Sequence, residues 1–150
     1  MANENGVYSF TDIAGAINGP GGSFDIGSDA GVAEEGITIS YVDDKDTMTM
    51  GADGSGMHSL HASRAATVTI RLLKTSPVNP QLMTMFNFQT TTSANHGRNQ
   101  MHFNDVVRGD SIIIEGAAFR KAPDITYAKD GGIMEWQFNC ISCNEILGAN

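Results

Sequence analysis

Apolar side chains recur at every second position along several stretches of this chain. Val68, Ile70 and Leu72 alternate with Thr67, Thr69 and Arg71, and Met134, Trp136, Phe138 and Cys140 alternate with Glu135, Gln137 and Asn139. A period of two gathers the apolar groups of a stretch on one face of an extended strand, where a helix would scatter them. Ile37, Ile39 and Tyr41 alternate with Thr38, Ser40 and Val42, and Met48 and Met50 with Thr47 and Thr49. These read as a strand over 37–42 and a strand over 47–52 returning beside it, joined by the turn Asp43-Asp44-Lys45-Asp46. Asp53-Gly54-Ser55-Gly56 supplies another turn, with glycines able to take positive φ. Further strands are expected over Val7–Ile13, 101–107, 111–119 and 133–141. Gly19-Pro20-Gly21-Gly22 breaks the first of them, and a mobile acidic loop is expected over 18–35.

A single helix is expected over about residues 79–90. Asn79 suits the N-cap, and Pro80 the first helical position, where its missing N–H costs nothing. Leu82, Met85 and Phe86 form a packing stripe with Met83 beside it. Thr90-Thr91-Thr92-Ser93 ends the helix, because β-branched and hydroxyl residues are weak helix formers. The expected fold class is mainly β: an antiparallel sandwich or barrel with one packed helix. No linker or repeat divides the chain, so a single domain over 1–150 is expected, with an extended N-terminal segment.

The net charge of −8 is unevenly spread. Residues 1–60 hold ten acids and one base, Lys45, whereas residues 61–150 hold seven acids and eight bases. A surface this acidic repels phosphate and argues against tight nucleic-acid binding. Met1-Ala2-Asn3-Glu4-Asn5 has neither the basic nor the apolar part of a signal peptide. No apolar run approaches the roughly 20 residues that cross a bilayer. Synthesis and folding in a cytoplasm, without membrane insertion, are expected.

Enzyme and metal chemistry find little support. Cys140 and Cys143 form a CxxC, and His58 and His61 have HxxH spacing, so together they could supply a zinc site. A second CxxC is absent, and residues three apart in a regular strand point to opposite faces. Buried free thiols are the default expectation. Asp43, Asp44 and Asp46 lack the glycine and the closing glutamate of an EF-hand loop. The Gly19–Gly22 stretch lacks the following Lys-Ser/Thr of a P-loop. His96 sits in a polar Asn-His-Gly-Arg loop, no Gly-x-Ser-x-Gly elbow frames a serine, and Arg108-Gly109-Asp110 reads as a turn. No catalytic, cofactor or metal residue is assigned.

One stretch carries a more specific likeness. Tyr41–Gly56 leads into Thr67-Val68-Thr69-Ile70-Arg71-Leu72-Leu73-Lys74-Thr75-Ser76-Pro77-Val78-Asn79. This order of a Gly-Ala-Asp-Gly hairpin, a Thr-rich strand and a Lys-Thr-Ser-Pro segment before a helix resembles a family of phage structural proteins of contractile tails. The similarity runs from Tyr8 to about Gly148.

The resemblance implies a tail-tube protomer with the fold shared by phage tail tubes and the type VI secretion tube protein. It implies hexameric rings, stacked into an inner tube that conducts DNA during ejection without binding it. It also implies sheath, baseplate and tail-terminator partners and a place in the virion tail, after synthesis in the host bacterial cytoplasm. On that reading Asp43, Asp44, Asp46, Thr47 and Thr49 are expected to line or border an acidic lumen. Asp25, Asp29, Glu34, Glu35, Asp53 and Ser55 are expected at contacts between stacked rings. The acidic turn could equally face outwards or meet Arg64, Arg71 or Lys74 of a neighbouring copy. The alternatives are a type VI-like or other injection-particle tube subunit and, from another class, a zinc-binding β-barrel module.

Overall fold

The computed structural model of the protein describes residues 8–27 and 32–148, with the backbone alone for 32–35. A 3-10 turn at Phe10–Asp12 precedes β1 (Ile13–Gly19), β2 (Gly22–Asp25), β3 (Val32–Tyr41), β4 (Asp46–Met50), β5 (Gly56–Leu60) and β6 (Ala66–Leu73). Helix α1 (Val78–Gln89) follows, then β7 (Asn99–Asp105), β8 (Asp110–Lys121) and β9 (Ile133–Ile146). Seven strands form one sheet in the order β2-β1-β7-β8-β9-β6-β3, with every neighbouring pair antiparallel. The ladder of β4 and β5 stands apart from it.

Burial changes phase part-way along β8 and β9. In β8 the buried residues are Ile114, then Ala117 and Phe119; in β9 they are Trp136, Phe138 and Cys140, then Cys143. Each step of three falls at one level, where Gly116 has φ +66° and the register skips the Gly116–Ile141 pair. A Cβ on Gly116 would stand 3.0 Å from the Ile141 Cβ, so this position needs a left-handed backbone and has little room for a side chain. Here the hydrogen-bonded sheet turns a corner. One layer holds β2, β1, β7, the first half of β8 and the last half of β9. The other holds β3, β6 and the remaining halves, and the core lies between them. With β2 and β3 as unpaired edges among the described residues, the sheet makes a sandwich, and the barrel alternative is not realised as a closed one.

The helix seals this core with Leu82 and Met85, and Phe86 meets Phe119 edge-on at 5.5 Å between ring centroids. It starts at Val78, one residue ahead of the expected boundary, and Asn79 is not its cap. The Ser76 Oγ accepts the Val78 N–H at 3.2 Å, while Asn79 turns inward. Its Oδ1 accepts the buried Trp136 indole N–H at 3.0 Å, and its Nδ2 donates to the Leu73 carbonyl at 2.9 Å. The Ser76 hydroxyl already serves the helix start, which leaves Asn79 free to supply the acceptor that a buried indole donor needs. Pro80 falls third in the helix, still among the N–H groups that have no intrahelical partner. Gln89, at the far end, pairs reciprocally with buried Asn99 at 2.6 and 2.8 Å and donates to the Pro20 carbonyl.

Four other sequence expectations need correction. The first strand begins at Ile13, and the expected start at Val7 lies outside the described residues; within them, the Ser9 hydroxyl accepts the Thr11 N–H and starts a turn where Phe10–Asp12 was expected to be extended. The span 18–35 is not one long loop: β1 and β2 form a hairpin across Pro20-Gly21, with Gly21 at φ +97°, and β3 begins at Val32. Pro followed by a positive-φ Gly is the residue pair of a type II turn. The strand at 47–50 does not return along β3; it pairs with β5, and β6 takes the place beside β3. Finally, β9 extends to Ile146, and its irregular step puts Cys140 and Cys143 on the same, buried side.

Candidate functional site

Most of the residues singled out from the sequence gather on one projection, the β4–β5 arm. Asp43 and Asp44 lie in the exposed connection before it. Lys45, the one base of the acidic half, turns back to donate to the His61 and Ser63 carbonyls and so fixes the base of the arm. On one face, the Asp46 Oδ2 meets His58 Nδ1 at 2.9 Å. On the other, Thr47 Oγ1 lies 2.7 Å from His61 Nε2, and Thr49 stands opposite Met57. At the tip, Gly54 takes φ +90° and the Asp53 carboxylate accepts the Ser55 hydroxyl at 2.7 Å and its N–H at 3.1 Å. Those bonds hold the Asp53 carboxyl below its usual range. Asp43, Asp44, Thr47 and His61 face a shallow cleft of about 530 Å³.

The other candidates lie elsewhere. Asp25 ends β2, on the sheet edge farthest in strand order from β3. Glu34 and Glu35 belong to β3 by their backbone, and Asp29 lies outside the described residues. Arg71 already meets Glu135 at 3.6 Å and donates to Thr38, and Lys74 sits 4.2 Å above the Tyr127 ring. Of the three bases considered as partners for an acidic turn, only Arg64 lacks such an engagement of its charged end and is exposed.

The sequence reading missed the apolar character of the arm. Met48, Met50 and Met57 are 58, 57 and 59% exposed, and Leu60 is 87% exposed. Met48, Met50 and Leu60 share one face of the hairpin, and Met57 occupies the other. The alternation of Met with Thr suggested a half-buried strand, yet among the described residues no layer covers either face. The clustering of three of the eight methionines within ten residues was the available signal.

Among the described residues, nothing comparable to a catalytic or metal centre is assembled. Burial pushes the Cys140 thiol up to about 12 and the Cys143 thiol up to about 11, so both stay protonated and inert as nucleophiles or ligands. His58 and His61 are engaged on the arm with Asp46 and Thr47. Among the described residues, no group of three or more His, Cys, Asp or Glu is placed to hold a metal ion. His96 lies in an exposed loop, and Arg108 and Gly109 complete the β7–β8 turn before Asp110 opens β8, with Asp105 accepting the Val107 and Arg108 N–H groups at 3.1 Å each. No helix among the described residues is long and apolar enough to cross a membrane.

This architecture recurs in tubes of contractile injection machines. The chain is similar to a structure of an extracellular contractile injection system, the PVC sheath-tube complex in its extended state. The TM-score is 0.55 at 10% identity, covering 96% of this chain and 93% of that one. It is also similar to the anti-feeding prophage cap, a tube-terminating cap, with a TM-score of 0.56 at 8% identity, covering 99 and 95%. At identities this low the likeness establishes the fold. No curated protein matches the chain. The sequence itself, over residues 5–148, matches the family of the bacteriophage PhiTE tail tube protein, and the chain belongs to that family. It is therefore a structural protein of the virion tail, a tube subunit and not an enzyme.

Proposed function

We propose that this chain closes into hexameric rings that stack as the inner tube of a contractile phage tail, and that DNA leaves the capsid through the bore. The observation that carries this reading is the β4–β5 arm, whose four large apolar side chains are more than half exposed and which no strand of the main sheet pairs. A two-stranded hairpin alone is marginal in water, so an arm of this kind gains its stability from a neighbouring copy. The unpaired edges β2 and β3 offer further backbone donors and acceptors for closing a ring.

In this arrangement Asp53 and Ser55 at the arm tip, with Asp25, Asp29, Glu34 and Glu35, contact the next ring. Asp43, Asp44, Asp46 and Thr47 near the base of the arm, and Thr49 further along it, border the bore. Sheath, baseplate and tail-terminator proteins are the partners, and the subunit is made in the host cytoplasm before joining the tail. Similarity to sheath-tube and tube-cap structures supports the sheath and terminator. An injection-particle tube would use the same fold, and the match to a phage tail-tube family is what favours the phage setting.

Negative-stain electron microscopy of the concentrated protein, with and without tail fractions as seeds, tests the reading. Rings or hollow rods are expected. Monomers alone, even beside genuine tail components, would overturn it.

A further inference from the structure

We infer that a groove over the sheet corner is the docking site for the apolar face of a second copy's β4–β5 arm. This rests on the tube reading and names the surface that covers the arm. The groove measures about 910 Å³, with Gly116, Ala118 and Ile141 among its lining residues. It is open because β8 places no large side chain there: Gly116 has none and Ala118 only a methyl. Ile141 alone stands up from this floor, 75% exposed. The chain closes in on both sides. Arg64 bridges to Ser142 beside β9, and Asn99 pairs with Ala117 beside β8, so residues 62–65 and the pair His96 and Gly97 flank the floor.

Charge selects the occupant. Arg64 is the one charged residue that lines the groove, His96 is exposed beside it, and no Asp or Glu among the described residues joins them. The arm has the opposite balance. Asp43, Asp44, Asp46 and Asp53 face a single base, Lys45, whose ammonium is already held by the His61 and Ser63 carbonyls. Asp46 stands opposite Leu60 in the ladder, on the same face as Met48 and Met50. A copy that lays this face in the groove therefore brings three apolar side chains and a carboxylate together. Methionine is unbranched and polarizable, and it fits an uneven floor of glycine, alanine and one isoleucine. An arginine–carboxylate pair flanked by apolar groups is screened less than one in open water, and it fixes the orientation of the contact.

Arm and groove are different patches of one surface, so the contact is head-to-tail. Each copy gives an arm and receives one, and a closed ring leaves neither unpaired. The arm tip, beyond Met50, stays free to meet the next ring.

Charge exchange in seeded assembly tests this. Asp46→Arg and Arg64→Asp should each raise the concentration needed for assembly about tenfold or more, because like charges then meet in the contact. An equimolar mixture lets every groove find an arm of opposite charge and should recover most of that loss. A mixture no better than its components, with both subunits folded by circular dichroism, would overturn the inference. A cross-link reads the same contact without changing charge. Met48→Cys and Ile141→Cys subunits, mixed and assembled, should be joined by a short bis-maleimide, and Met57→Cys on the opposite hairpin face should not join Ile141→Cys. Each chain carries one introduced thiol, and buried Cys140 and Cys143 do not react, so joining is between copies. Tubes in which Met48→Cys is not joined, or is joined no better than Met57→Cys, would overturn the inference while leaving the tube reading intact. Failure of the unsubstituted protein to form tubes on seeds would instead sink the tube reading, and this contact with it.

Discussion

Removing the apolar face of the arm should weaken assembly without weakening the subunit. In Met48→Thr/Met50→Thr both changes keep a strand-forming residue, so the hairpin can still form. Fully burying a methionine side chain contributes about 1.5–3 kcal/mol. Met48 and Met50 have 58 and 57% of their surface still to bury. Each therefore stands to gain about 1–1.7 kcal/mol from a covering neighbour, and threonine would retain a minor part of that. The pair should lose about 2 kcal/mol per contact, which at 1.4 kcal/mol per decade raises the concentration needed for assembly about 30-fold. Sedimentation of seeded assembly across a concentration series reads that threshold. Thermal unfolding of the unassembled subunit should be unchanged within about 2 °C, since a 1 kcal/mol loss would already move it by about 2–4 °C. An unchanged threshold with the subunit folded would refute a covered arm. A large fall in Tm would show that the arm packs on its own chain.

Three further outcomes follow from the interior. Asn79→Ala orphans the Trp136 indole N–H and should cost about 2–4 kcal/mol, lowering Tm by roughly 4–16 °C; Trp136→Phe in the same chain removes the orphan, so the double mutant should lose less than the sum of the singles, and strict additivity would refute the coupling. Gly116→Ala combines a left-handed φ with a 3.0 Å approach to Ile141 and should cost about 1–3 kcal/mol in chemical denaturation; adding Ile141→Ala should recover only the crowding part. Burial raises the Cys140 thiol from 9.0 to about 12, so its contribution to stability is full below pH 9 and is lost as pH climbs towards 12; unfolding curves across that window should be flatter for Cys140→Ala, and identical curves would count against a buried neutral thiol.

Legibility in the sequence followed the part of the fold that one chain completes by itself. The alternation at Val68, Ile70 and Leu72 and at Trp136, Phe138 and Cys140 was readable because each residue has a single wet side and a single dry side. The step from Cys140 to Cys143 was not, because it depends on a kink in the partner strand at Gly116, distant in sequence and visible only in pairing. Asn79 looked like a cap by position, but its role was decided by Trp136, whose need for an acceptor no local window contains. The pairing of β3 with β6 likewise skips a whole hairpin that a nearest-neighbour reading takes as the return strand.

The arm belongs to a different class of failure. A period of two says that one face should be dry, and for β4 that inference holds only if the molecule doing the covering is included. Thr and Met alternate there as they would over a core, yet the described residues supply none, so the pattern describes an interface in the vocabulary of an interior. The same reasoning applies to β2 and the end of β9, strands whose outer backbone groups have no strand partner among the described residues. Evolution commonly blunts exposed edges with lysine, proline or a bulge. Ser23, Phe24 and Asp25 along β2 include no proline and no base. An edge left open in this way and an apolar arm left uncovered require the same remedy, a second copy in fixed orientation. If the contacts they make are head-to-tail and the rotation between copies closes, the result is a ring, and its remaining open faces permit stacking.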